Sequence, residues 1–311
     1  NVIGKIYAGI ADDMLTTTIM ATKAPKYLCP AMNTEMYNNP ITQRNLEGLR
    51  SLGYHIMDPA EGWLACGITG VGRLPEPEAI VDWLESKMCS TNELEGTTIL
   101  VTAGGTQESI DPVRYIGNRS SGKMGYAIAE QAVRMGAKVI LVSAPTSLPI
   151  PSGVDFISVD SAVSMQEAVE ARYNDVNVVI MAAAVSDFRV LHKAEQKIKK
   201  MESMTIELVK NPDILQGLGS KKNHQILVGF AAETEHVIKY GQDKVARKNL
   251  DMLVANDVSK SNAGFNVDTN EGYFLYPDKE PKEMPNMKKS ELARHILREV
   301  IDLVANKADI N

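Results

Sequence analysis

The sequence predicts an α/β fold built on a doubly wound parallel sheet, and three observations lead there. Apolar strand-like runs alternate with amphipathic helical stretches through residues 99–304. The run VNVVIMA at 176–182 is apolar almost throughout, as suits a central strand covered on both faces. The strand-like ILVT at 99–102 runs straight into Gly104 and Gly105, and in such sheets ligands bind beyond the carboxyl ends of strands.

The elements follow in order. A first segment over residues 1–87 reads as a helix through 1–21, a short apolar strand in KYLCPAM, a helix near 39–52, the glycine-rich GWLACGITGVGRLPEP and a closing helix at 76–87. The polar stretch MCSTNELEGTTI, with no apolar periodicity, marks a boundary, giving domains at 1–93 and 94–311. In the second, strand 99–102 leads to a helix at 123–135 ended by Gly136. Strands at 139–143 and 156–159, a helix opening at Ser161, and the apolar strand 176–182 come next. The strand ILVGFAAET, a helix over 233–248, strands at 252–255 and 273–276, and an amphipathic helix at 289–304 complete the chain.

Composition narrows the function classes. With 311 residues, 44% of them hydrophobic, burying a core presents no difficulty. A formal net charge of -6 argues against bulk nucleic-acid binding and favours small-molecule partners. No apolar run is long enough to span a bilayer and nothing resembles a secretory signal, so no membrane partner is expected and the expected location is cytoplasmic. The cysteines, Cys29, Cys66 and Cys89, show no metal-ligand spacing, and no metal ligands are assigned.

The glycines after the first strand are separated from the next helix by TQESIDPVRYIGNRSS, an insert rich in hydrogen-bonding side chains that carries Arg114 and Asn118. Ser120, Ser121 and Gly122 open the following helix. Asp187 follows the central strand, a basic KIKK holds Lys197, and Phe230, Lys244 and Lys248 follow the next strand. Each has a plain reading: glycine pairs make turns, lysine runs are solvated, an aspartate caps a helix. Their common position beyond strand ends favours a nucleotide site.

DPVRYIGNRSSGKMG, AAAVSDF, KIKK, VKNPDIL, VGFAAET and ARKNLDMLVAND strongly resemble the phosphopantothenate–cysteine ligase family of coenzyme A biosynthesis, over residues 94–307. The resemblance implies a Rossmann-like ligase domain that couples 4′-phosphopantothenate to L-cysteine, using CTP and Mg2+, through an acyl-cytidylate. It implies that Asn118 holds the activated acyl group, Arg114 organises the anhydride site and Lys197 acts on phosphate, with Ala184 lining the intermediate. Gly104 and Gly105 would admit a ligand to the backbone, and Ser120, Ser121 and Gly122 would hold the substrate phosphate. Met181, Ala182, Ala183 and Asp187 would contact CTP, with Lys210, Asn211, Pro212, Asp213, Phe230, Lys244 and Lys248 completing its site. A homo-oligomer, dimeric through the ligase domain and assembling further through the preceding one, is also implied.

PAMNTEMY and LACGITGVGRL resemble the two signatures of flavin-dependent cysteine decarboxylases, with Tyr37 where tryptophan is usual. The implied domain is a partial flavodoxin-like flavoprotein using FMN, in which Cys66 returns electrons to the intermediate and Asn33 binds the substrate carboxylate. Together the halves resemble the bacterial bifunctional decarboxylase/ligase family, with the catalytic histidine and much of the flavin-phosphate site lying upstream of Asn1. The expectation is therefore that this chain alone neither holds stoichiometric flavin nor releases CO2. Two rivals stand beside this reading. A nicotinamide-dependent oxidoreductase lacks its compact G-x-G-x-x-G here, and a non-catalytic regulatory relative of the flavodecarboxylases would not need Asn118 and Lys197.

Overall fold

The computed structural model describes residues 1–64, 67, 69–88, 91–200, 202–233, 236–257 and 269–308. The chain divides into two compact units, Asn1–Ser90 and Thr91–Asn311.

The first unit holds helices α1 (Val2–Ala8) and α2 (Met14–Ala21), strand β1 (Tyr27–Leu28), and helices α3 (Thr34–Asn38) and α4 (Pro40–Ser51). Strands β2 (His55–Ile56), β3 (Ala60–Trp63) and β4 (Thr69–Arg73) and helix α5 (Pro77–Met88) follow. The single helix expected over 1–21 is thus two. Gly9 ends the first in the left-handed region at φ 71°, and Asp13 opens the second with a capping box to Thr16. Strands β1 and β2 pair in parallel, while the glycine-rich stretch forms the antiparallel hairpin β3–β4. Cys66, with Ala65 and Ile68, lies outside the described residues.

The second unit begins with β5 (Thr98–Ala103), β6 (Gln107–Ser109), β7 (Tyr115–Gly117), α6 (Lys123–Arg134), β8 (Lys138–Ser143), β9 (Val154–Ser158), α7 (Ala162–Glu170) and β10 (Val178–Met181). It continues through β11 (Phe188–Val190), β12 (Leu208–Lys210), α8 (Ile214–Ser220), β13 (Ile226–Glu233), α9 (Val237–Arg247) and β14 (Met252–Asp257). Strands β15 (Thr269–Leu275) and β16 (Lys282–Lys288) and helix α10 (Lys289–Ala308) close it.

The main sheet runs β16-β15-β14-β13-β10-β5-β8-β9. From β9 to β14 every pairing is parallel, so the doubly wound expectation holds; β15, expected as a strand at 273–276, pairs antiparallel to β14, and β16 adds an antiparallel edge strand that the sequence did not suggest. The expected helix over 233–248 instead starts at Val237, because Glu233 still pairs with Asp257 as the last residue of β13.

Alternation along the central strands feeds two cores. Ile99, Val101, Val178 and Ile180 face α6 and α10, while Leu100, Val179 and Met181 face α7, α8 and α9. Each fully buried aliphatic side chain contributes about 1.5–3 kcal/mol. Helix α6 sits tight on β5 because Gly125 faces it: a Cβ there would lie 2.6 Å from the Ala103 Cβ and 2.8 Å from the Thr102 carbonyl oxygen. Gly125→Ala is therefore expected to push α6 outward at a cost of about 1–3 kcal/mol. Thermal denaturation should record a loss of several degrees.

Candidate active site

Strand order reverses between β5 and β10, since the chain winds outward from β5 through β8 and β9 and then returns to β10. At such a switch point the strand ends part and leave a crevice. A cleft of about 660 Å³ opens here. The two strand ends are stitched below it: Ala184 N–H donates to the Gly104 carbonyl at 2.8 Å, Thr106 N–H to the Ala184 carbonyl at 3.2 Å, and Ser186 N–H to the Thr106 hydroxyl at 2.9 Å.

The insert after β5 folds back as the hairpin β6–β7. The buried Glu108 carboxylate accepts from Ala162 N–H at 2.9 Å, where the positive end of α7 favours an anion. The return strand delivers Asn118, whose Nδ2 donates to the carbonyls of Ala184 and Val185 at 3.3 and 3.2 Å. Gly104 and Gly105 make this return possible. Gly104 stands at φ 80° with Ala144 so near that a Cβ would meet its carbonyl oxygen at 2.7 Å, and a Cβ on Gly105 would come within 2.9 Å of the Asn118 carbonyl oxygen. Neither glycine lines the cleft itself; both act through packing beneath it.

Of the residues expected at the site, the cleft gathers Asn118, Ser120, Ser121, Gly122, Ala182, Ala183, Ala184, Asp187, Phe230 and Lys244. Gly122 opens α6 at φ 76° with no side-chain cap, so backbone N–H groups of the first helical turn are directed to the cleft end.

Other expected residues do not reach it. Met181 is buried in the sheet, its sulfur accepting from the Thr102 hydroxyl at 3.8 Å. Asn211 is buried and donates through Nδ2 to the Ser186 carbonyl and through its backbone to the Asp187 carbonyl, both at 2.8 Å, which fixes the loop presenting Asp187. Arg189 clamps the same segment by donating to the Lys210 carbonyl at 3.0 Å and the Asn211 side chain at 3.2 Å. Pro212 follows, and Asp213 caps α8 while pairing with Lys248 at 2.9 Å. Burial pushes the Asp213 carboxyl up, but Lys248 and the Gln216 N–H outweigh it and leave it below its ordinary value. In the first unit, Asn33 caps α3 by accepting from Glu35 N–H at 2.9 Å.

Arg114 and Lys197 stand on a neighbouring feature. Arg114 pairs with the buried Asp111 at 2.6 Å and donates to the Ile198 carbonyl at 2.9 Å, next to the exposed Lys197. The Arg114 guanidinium holds the Asp111 carboxyl well below the usual carboxylate range, against the upward push of burial. A lowered folded-state value means that the stability carried by this pair is present above the unfolded carboxylate pKa of about 3.9 and is lost only as pH falls below it. At neutral pH the pair stays ionised.

The cleft also holds residues that the sequence reading missed: Arg119, Lys123, Asn256, Asn270 and Lys289. Arg119 and Lys123 sit inside the same motif as Asn118, and Asn256 ends β14, so the strand-end rule had reach over them. Asn270 and Lys289 come from the unforeseen antiparallel edge and the helix after it. The Asn256 Oδ1 is buried with no hydrogen-bond partner among the described residues, an acceptor whose desolvation is uncompensated until a donor arrives. The described lining thus gathers four cations, Arg119, Lys123, Lys244 and Lys289, around one carboxylate, Asp187. In a chain of net charge -6, that is a local concentration of positive charge.

Among the described residues no helix is long and apolar enough to cross a membrane, and no group of three or more His, Cys, Asp or Glu stands ready to hold a metal ion.

Two family models match successive parts of the chain. Residues 94–304 match the DNA/pantothenate metabolism flavoprotein C-terminal domain, and residues 1–89 match the Flavoprotein family. The Bacillus subtilis (strain 168) coenzyme A biosynthesis bifunctional protein CoaBC is 49% identical over 97% of this chain and 76% of its own length. Its Escherichia coli (strain K12) counterpart is 44% identical over 97% of this chain and 75% of its own length. The crystal structure of the C-terminal domain of a CoaBC superposes with a TM-score of 0.61 at 44% identity, covering 70% of this chain and all of that one.

Proposed function

Because the chain belongs to the family of bifunctional coenzyme A biosynthesis proteins, we propose that its second unit couples 4′-phosphopantothenate to L-cysteine at the expense of CTP. The observation that carries this reading is the cation-lined cleft at the β5/β10 switch point, with Asn118 at its wall.

The chemistry follows from that lining. A carboxylate resists amine attack until one of its oxygens belongs to a good leaving group. In the first step a carboxylate oxygen of phosphopantothenate bonds to the α-phosphorus of CTP and the α–β bridging bond breaks, releasing pyrophosphate. In the second, the cysteine amine attacks the acyl carbon, the acyl–oxygen bond breaks, CMP leaves and the amine gives up a proton. Charge grows first on the triphosphate and then on the acyl oxygen, so positioned donors and cations do the work. Lys123, Lys244 and Lys289, with the first N–H groups of α6, would hold phosphate oxygens, while Asn118 would hold the acyl oxygen. Ala182, Ala183 and Ala184 would present backbone to the nucleotide, beside Asp187 and Phe230. Lys197 would reach the reacting phosphate from the segment tied to Arg114. The donor set fits a metal carried in with the nucleotide: Mg2+ would be held largely by phosphate oxygens and water, with Asp187 the nearby carboxylate.

The first unit is read as part of an FMN-dependent decarboxylase that acts on the ligation product. The buried Thr34 hydroxyl beside Asn33, which has no hydrogen-bond partner among the described residues, is a polar atom that fits a ligand there. FMN, when bound, supplies oxidation of the substrate thiol; Asn33 would hold the carboxylate that leaves as CO2, and Cys66 would serve the electron return. The second unit is read as a dimer, since Val113, Tyr115, Phe188 and Leu191 expose apolar surface along the β6–β7 hairpin and beside the β11–β12 pair. Light scattering on the full chain should then give at least twice the chain mass, and a monomer would refute that part.

Pyrophosphate release tests the ligase reading. It should require CTP, phosphopantothenate and Mg2+ together, with CTP far above ATP. Neither a nicotinamide oxidoreductase nor a non-catalytic relative would release pyrophosphate, so its absence under those conditions would overturn the reading.

A further inference from the structure

Asp111 sits in the turn of the β6–β7 hairpin and is only 2% exposed. Its two carboxylate oxygens divide their partners cleanly. Oδ1 accepts from the backbone N–H groups of Val113 and Arg114, both at 2.8 Å, and so closes the local turn. Oδ2 accepts from Arg114 Nε at 3.0 Å, from Arg114 Nη2 at 2.6 Å and from the Ile198 N–H at 3.1 Å. Arg114, itself half-exposed, then donates to the Ile198 carbonyl at 2.9 Å, so both polar groups of residue 198 are held by one ion pair whose carboxylate is buried.

That residue follows Lys197 directly, within a segment, 191–200, that has no helix or strand of its own. Two more backbone bonds steady the segment, Leu191 N–H to the Glu207 carbonyl and Ala194 N–H to the Ile110 carbonyl, each at 2.9 Å. The second again comes from the hairpin turn. The same hairpin ends in Asn118, which lines the cleft. One rigid turn therefore sets both the amide at the cleft wall and the strap carrying the lysine.

We propose that Asp111 is a positioning residue of the ligation reaction: through Oδ2 and Arg114 it tethers the Lys197 strap in register with Asn118. The inference rests on the reading of Lys197 given above. The motif containing Asp111 was legible in the sequence, but nothing there separated a turn-closing aspartate from one that reaches 87 residues along the chain to Ile198.

Asp111→Asn tests the idea because it splits the two oxygens' functions. With Oδ1 kept as acceptor for Val113 and Arg114, the amide nitrogen replaces Oδ2 and turns a donor toward the donors of Arg114 and Ile198. The turn survives and the tether fails. The expected result in the full chain is a fall of about ten- to a hundredfold in kcat for pyrophosphate release, with KM for CTP changed by less than about threefold. Amide hydrogen exchange should speed up at Ile198 and stay unchanged at Val113. In a Lys197→Ala background the same change should cost less than about twofold, since the lysine that the tether positions is already gone. Ile198→Pro, which deletes the tethered N–H and leaves the Asp111–Arg114 pair intact, should reproduce the loss even if the asparagine variant folds poorly. An Asp111→Asn loss that multiplies in full onto that of Lys197→Ala, or an unaltered Ile198 exchange rate, would overturn the proposal. If Lys197→Ala alone left activity intact, the reading of Lys197 would fail, and faster Ile198 exchange in Asp111→Asn would still show the tether.

Discussion

Asn118→Ala is expected to lower kcat for ligation at least about a hundredfold, equal to about 2.7 kcal/mol of transition-state stabilisation. The side chain hangs from the return strand of the insert, held to two backbone carbonyls by bonds of 3.2 and 3.3 Å. Bonds of that length are readily exchanged for a stronger one to an acyl oxygen that gains negative charge. Alanine leaves the backbone path intact, because the glycine contacts beneath it involve the Asn118 main chain and not its amide. KM for CTP should therefore move little while kcat collapses, as measured by steady-state pyrophosphate release. A loss confined to KM would make Asn118 a binding group only.

Lys197→Ala should cost a similar factor, about a hundredfold, by removing a cation that acts on the reacting phosphate. Lys197 is exposed and does not line the cleft, so its charge would have to be brought in on the tethered segment that carries it. The strap variants described above should follow the same ranking, with Lys197→Ala the more severe. Equal pyrophosphate release by wild type and Lys197→Ala would remove this residue from the chemistry.

The parallel part of the fold was legible because fully buried strands such as β10 carry near-continuous apolar runs, and because helices α6 and α10 show clear periodicity. The edge strand β16 was not. Its sequence KEMPNMK is polar and holds Pro285, as edge strands often do, so neither alternation nor apolarity gave it away. Lys289 opens the expected terminal helix, but without β16 nothing in the sequence brought the start of that helix to the cleft. In the first segment the break at Gly9 and the capping pair Asp13–Thr16 were available as signals, but the apolar residues on either side suggested one continuous helix. At the site, strand-end reasoning located Asn118, Asp187, Phe230 and Lys244, whereas Lys248 and Asp213 answer each other instead of facing the cleft. Spacing along a helix shows which residues share a face but not which partner a neighbouring loop will bring.

On the proposed function, the cleft activates a carboxylate by nucleotidyl transfer. Phosphopantothenate labelled with 18O in its carboxylate, turned over with CTP and L-cysteine, tests it most directly by mass spectrometry of the products. One 18O atom is expected in the phosphate of CMP and none in pyrophosphate. Label appearing in inorganic phosphate alongside CDP would mean activation at the γ-phosphorus and would contradict it.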